Sequence, residues 1–215
     1  MDGVVVDSEP LSMMTIAEII GEHGGRADPA LLAGLTGVNL AEALKVAAAH
    51  SGRALDTAAL HRSYQERYLP RLRACAVPTP GLARLITALQ AARVPIGLAS
   101  SSSLPEIDVV VRALRLGPAL SAVASADEVA RPKPAPEVYR LAIKRLGTGP
   151  AGVVAIEDSA TGAASATAAR LLCIGVRTAV TQAHDLKEAI LIVNSLEELD
   201  LEILERLVRE PFPGQ

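Results

Sequence analysis

The sequence predicts an α/β protein with a parallel sheet covered by helices on both faces and an inserted all-helical unit. Three observations lead there. Beyond Pro80, stretches of helical period alternate with short apolar runs. Between Pro10 and Pro78, helical spacing continues without a β-branched run long enough for a strand. Half of the 215 residues are hydrophobic and 21% are charged, which suffices for one core or two small ones.

In the first block, residues 11–24, 28–35, 39–51 and 56–75 carry the helical pattern. Asp28 before Pro29, and Asn39 three residues ahead of Glu42, are helix-start signals. Downstream, helices are predicted at 82–92, 105–116, 136–146, 161–169 and 196–208, and strands at 94–99, 119–124, 152–156, 171–176 and 190–193. Residues 1–10 and 81–215 are therefore assigned to the α/β core and 11–80 to the helical insertion; the Pro- and Gly-containing tail 209–215 is expected to fray.

Composition narrows the function. With 21 basic against 24 acidic residues and a net charge of -3, nothing draws the chain generally to nucleic acid or anionic membranes. Aromatic content is 2%, with no Trp and Phe212 as the single Phe, so base stacking is not on offer. No apolar run approaches the roughly 18 residues of a membrane span, and no signal-peptide pattern opens the chain. A cytoplasmic monomer with a small-molecule partner is expected. Cys75 and Cys173, without CxxC spacing, are expected to be small buried hydrophobes.

Four clusters fall at the chain start or at the ends of predicted strands, where sites of such sheets lie. Asp2 and Asp7 flank Gly3 and the apolar Val4–Val6, a pattern that also fits a turn followed by a helix cap. Ser100, Ser101, Ser102 and Ser103 precede a helix start, suited to holding an anion or simply to capping. Lys133 lies between Pro132 and Pro134, which stiffen its loop; by itself it would be a surface charge. Glu157 and Asp158 end an apolar strand, and adjacent carboxylates there call for a cation or base; hard oxygen ligands suit Mg²⁺.

In this order the segments DGVVVDSEP, GLASSSS, KPAPEVY and VVAIEDSATGAASA resemble the four successive motifs of haloacid dehalogenase superfamily phosphatases. The resemblance is to the β-phosphoglucomutase-like branch, which has a Rossmann-like sheet and a helical cap, and it covers nearly the whole chain. It implies that Asp2 is the general acid/base and that Ser100, with Ser101, binds the transferring phosphoryl group. Lys133 would neutralise charge at the phosphoryl oxygens. Asp2, Glu157 and Asp158 would position Mg²⁺, Asp158 the more directly. Asp7, after the catalytic turn, is assigned a structural role.

One departure matters. The family's nucleophilic Asp stands two residues before the acid/base, at the end of the first and central strand, and Met1 occupies the position between them. The first strand is thus expected to be missing, leaving two strand edges unpaired, and the chain as given is expected not to turn over. A start assigned too late, or a clipped fragment, is the expected explanation, the intact protein being an enzyme.

Cap residues decide substrates in this family. Where phosphomutase relatives carry a His, a Lys and an Arg, this chain has Ser12, Thr36 and Leu40, so a phosphatase of a small phosphorylated metabolite is favoured over a mutase. Asp2 argues against dehalogenation. Thr36 and Asn39 are candidate substrate contacts, Asn39 also being a helix N-cap. The alternatives are a catalytically dead protein that binds phosphate and Mg²⁺, and an α/β scaffold with an accidental likeness.

Overall fold

A computed structural model describes residues 1–23, 25–35, 40–50, 56–178 and 185–209. The chain divides into two compact units, Ser8–Ala76, and Met1–Asp7 with Val77–Gln215.

Ser8–Ala76 is helical: α1 (Glu9–Glu22), α2 (Pro29–Leu35), α3 (Leu40–His50) and α4 (Thr57–Cys75). α1 starts at Glu9 because Pro10 is accommodated in its first turn, where a missing N–H costs no intrahelical bond. Asp28 Oδ1 accepts from the Leu31 N–H at 2.7 Å and Asp56 Oδ1 from that of Ala58 at 2.9 Å, fixing the starts of α2 and α4. α1 packs on α4; their buried faces are Ile16, Ile19 and Ile20, and Leu60, Tyr64, Tyr68 and Leu72. The Tyr64 and Tyr68 rings stack at 4.7 Å. At the rim, Arg67 grips Glu22 through two bonds of 2.6 and 2.5 Å. Cys75 departs from expectation: it is exposed, while Cys173 is buried. The buried face of α4 ends at Leu72, and Cys75 lies past it in the last turn.

The second unit opens with a tight turn rather than a strand. The Met1 carbonyl accepts from the N–H groups of Val4, Val5 and Val6 at 3.3, 2.7 and 3.4 Å, with Gly3 at φ +71° making the reversal. Thr79 pins this turn, its N–H reaching Val5 O at 3.1 Å and its hydroxyl Val4 O at 2.5 Å. There follow α5 (Leu82–Ala91), β1 (Gly97–Ser100), α6 (Leu104–Ala113), β2 (Ala122–Ser125), α7 (Glu137–Leu146), β3 (Val154–Glu157), α8 (Ala160–Ala168), β4 (Leu172–Val176), β5 (Leu191–Val193) and α9 (Leu201–Arg209).

The pairings between these strands are parallel, as predicted, and the described residues form two sheets, β1-β2 and β3-β4-β5. β1 and β3 are both edge strands. β1 begins at Gly97 rather than at 94 because Val94 donates back to Leu89 O, ending α5, and Pro95 has no N–H. The predicted closing helix splits. Ser195 caps a 3-10 turn at Leu196–Glu198, and Asp200 Oδ1 then accepts from the Ile203 N–H at 2.9 Å to start α9. The core beneath the strands is built from small side chains, among them Ala124, Ala142, Ala155, Ala163, Ala166 and Cys173. No described helix is long and apolar enough to cross a membrane.

Gly81, at φ +85°, precedes α5, and a Cβ there would collide with the backbone of Leu196 and Glu197. Arg84, one turn on, donates to Glu197 O at 2.6 Å and Leu199 O at 2.8 Å, which holds that approach closed. Gly81→Ala should therefore cost roughly 2–4 kcal/mol. Gly149→Ala, which meets open space, should stay within about 0.5 kcal/mol. Thermal unfolding of the two variants checks this.

Candidate active site

Four distant segments of the second unit meet at the carboxyl ends of β1 and β3. The first is the Asp2–Gly3 turn. Its Asp2 Oδ2 accepts the Ser102 hydroxyl at 2.6 Å, and Gly3 lies so close to the Asp158 carboxylate that a Cβ would collide with it. The second follows β1: Ser100 Oγ donates to Ser102 Oγ at 3.0 Å and accepts the Ser102 N–H at 3.1 Å, so a hydroxyl chain links Ser100, Ser102 and Asp2. Ser125, at the end of β2, holds this loop through a 2.7 Å bond to Ser102 O. Glu106 closes it from α6 by accepting the Ser103 N–H at 2.8 Å; burial, with a contribution from the Asp2 charge, raises its pKa.

Lys133 supplies the third segment. Its side chain is 7% exposed, and its ammonium donates to Glu157 Oε1 and, at 3.2 Å, to Ala99 O. Ile96 O takes a β2-side N–H from Ser121, so strand alternation turns the Ala99 carbonyl toward the open edge of β1, where Lys133 satisfies it. Ser165 of α8 steadies the same loop by donating to Ala135 O at 2.7 Å.

The fourth segment is Glu157–Asp158. Burial alone would raise the Glu157 pKa, but the charges of Lys133 and the Met1 α-amino group outweigh it and hold the carboxyl below its usual range. Its other oxygen lies against Gly162 of α8, where a Cβ would collide with Oε2. Asp158 is treated differently: burial first, then the like charges of Glu157 and Asp2, push its pKa up to about 7.

The structure thus brings together Asp2, Ser100, Lys133, Glu157 and Asp158, and joins Ser102 to Asp2; Ser101 is exposed. Ser102 was not singled out from sequence because all four serines of its run look equivalent there. Tyr139 was missed as well; its hydroxyl donates to Glu157 Oε1 at 2.5 Å. Its spacing from Lys133 on the apolar face of α7 was the available signal. Thr36 and Asn39 lie outside the described residues.

For a divalent cation, the donor chemistry fits. Asp158 is a largely buried carboxylate surrounded by negative charge, and Mg²⁺ binds through one or two carboxylates while keeping waters. Among the described residues no three acidic, His or Cys groups form a ready-made cage. Asp158 and Asp2 could hold such a cation, while Glu157 Oε1 already accepts from Lys133 and Tyr139.

Acid, hydroxyl and ammonium groups are thus gathered at the strand ends of a parallel α/β unit, where sites of such sheets lie. A family model for haloacid dehalogenase-like hydrolases matches residues 1–170, and the chain belongs to that family. It is 33% identical over 149 residues to protein CbbY of Cereibacter sphaeroides, a stretch spanning 67% of this chain and 65% of that protein. It is 29% identical over 200 residues to the validoxylamine A 7'-phosphate phosphatase of Streptomyces hygroscopicus subsp. limoneus, covering 93% and 92% of the two chains. Its fold matches a crystal structure of a CbbY mutant from Rhodobacter sphaeroides in complex with xylulose-(1,5)bisphosphate. There the TM-score is 0.85 at 28% identity, over 95% of this chain and 96% of that one.

Two measurements test the electrostatics. The folded pKa of Asp158, about 7, lies above its ordinary 3.8, so its contribution to stability is present below pH 3.8 and lost as the pH rises through 7. The metal-free polypeptide should lose roughly 2 kcal/mol of unfolding free energy between about pH 5 and pH 8 from this group, and Asp158→Asn should remove that loss. Gly162→Ala should destabilise by about 2 kcal/mol or more although Ala is the better helix former, because the added methyl displaces Glu157. Thermal unfolding at neutral pH reads it.

Proposed function

We propose that this chain carries the site of a Mg²⁺-dependent phosphomonoesterase acting on a small phosphorylated metabolite. The observation that carries the reading is the convergence of Asp2, Ser100, Lys133 and Asp158 from four segments of the chain onto the ends of β1 and β3. One relative is named for a phosphate ester, validoxylamine A 7'-phosphate, and the CbbY mutant was crystallised with another, xylulose-(1,5)bisphosphate. The domain assignment expected from sequence, with residues 1–10 and 81–215 as the core and 11–80 as the substrate-selecting cap, and the cytoplasmic location belong to the same proposal.

In this reading Ser100 and Ser101 donate to the phosphoryl oxygens, and Lys133 neutralises the charge that develops on them. Asp2 gives a proton to the leaving oxygen and later takes one from water, its carboxylate oriented by the Ser102 hydroxyl. Mg²⁺, held by Asp158 and Asp2 with Glu157 beside them, would supply electrostatic stabilisation of the transferring group. The covalent step needs a carboxylate at the position before Met1, which would take the phosphoryl group as an aspartyl-phosphate. The open edges of β1 and β3 support a strand there. Ser12, at one of the cap positions where phosphomutases carry a basic group, brings no positive charge to hold a second phosphate, which supports a phosphatase over a mutase.

The test compares the polypeptide of these 215 residues with one preceded by a short apolar strand ending in Asp. The extended form should hydrolyse p-nitrophenyl phosphate with Mg²⁺ and lose that activity with a chelator, and Asp2→Ala should lower its kcat at least about 100-fold. The 215-residue form should bind inorganic phosphate without turnover. A folded extended form that binds phosphate but never turns over would replace the enzyme reading with that of a phosphate-binding protein.

A further inference from the structure

We propose that Tyr139 is a positioning residue that holds Lys133 in place, its ring beneath the ammonium and its hydroxyl on the carboxylate with which the ammonium is paired. The lysine's phosphoryl-binding role rests on the function proposed above; the positioning itself does not.

Lys133 Nζ stands 4.8 Å from the centroid of the Tyr139 ring, within cation–π range. The hydroxyl of the same residue reaches Glu157 Oε1, the oxygen that also accepts from Lys133. One side chain therefore fixes both members of the ion pair. Such fixing is needed because a lysine stem has four rotatable bonds, and an ammonium free to wander would not stay between Ala99 O and Glu157. Tyr139 can serve as a fixed point because it is 7% exposed and packed in the α7 face with Val138, Ala142 and Ile143. Burial, then the Glu157 charge, raises its phenol pKa well above the usual value, so the hydroxyl stays protonated and donates. Gly162 closes the far side of the carboxylate, leaving Glu157 little room to turn away.

Lysine acylation of the full 215-residue polypeptide, followed residue by residue by mass spectrometry, reads this directly. The exposed Lys45, Lys144 and Lys187 serve as internal references. Tyr139→Phe keeps the ring and removes the hydroxyl; it should raise the relative acylation rate of Lys133 about threefold. Tyr139→Leu removes both contacts and should raise it about tenfold or more. Val138→Ala loosens the same buried face while keeping the Tyr139 ring and hydroxyl, and should leave that rate unchanged. Inorganic phosphate affinity should weaken about threefold to tenfold in the two Tyr139 variants, in the same order. The proposal is overturned if Tyr139→Phe leaves Lys133 as slow as in the parent, or if Val138→Ala accelerates it as much. If acylation changes as expected but neither parent nor variants bind phosphate, the positioning stands and the phosphatase reading fails.

Discussion

The pairing of Lys133 with Glu157 is the constraint around which the second unit is arranged. Each side chain is 7% exposed, and a buried charge left alone would cost several kcal/mol, so neither residue is tolerable without the other. The pair also does a topological job. β1 and β3 share no hydrogen-bonded neighbour among the described residues, yet Lys133 bonds a main-chain oxygen of one and a side-chain oxygen of the other. The ends of two separate sheets are held together by one ammonium group.

Around that pair the sequence places small residues wherever carboxylates need room. Gly3 and Gly162 sit against Asp158 and Glu157 so closely that a methyl group would displace either acid. The alanines of α8 pack on β4, with Ala163 and Ala166 fully buried. A core of larger side chains would keep α8 further out. Close packing by small residues is therefore part of how the acids come to stand beside one another.

Much of this was legible in the sequence, because the signals involved are local. Apolar runs marked the strands, and Asp28 marked the start of the helix it caps. The strand ends at Ser100 and Glu157 fell where chemistry gathers. What failed depended on contacts far along the chain or on competing local bonds. Pro95 and the Val94–Leu89 bond shortened β1, and the caps at Ser195 and Asp200 broke a periodic stretch into two pieces. Ser102 and Tyr139 were hidden because each acquires a role from a partner, Asp2 or Glu157, that lies 100 or 18 residues away.

The two adjacent acids show how identical chemistry takes opposite roles. Glu157 faces an ammonium and a phenol and is held as an anion in spite of burial. Asp158, one residue on, faces Asp2 and Glu157 and is driven toward its protonated form near neutral pH. A second lysine at Asp158 would quiet that charge permanently, and with it the cation binding proposed for this site. Leaving one carboxylate uncompensated beside one that is fully compensated keeps the site organised and still able to bind. The organisation comes from Lys133, Tyr139 and Gly162, and the cation binding proposed here rests on the charge they leave unneutralised.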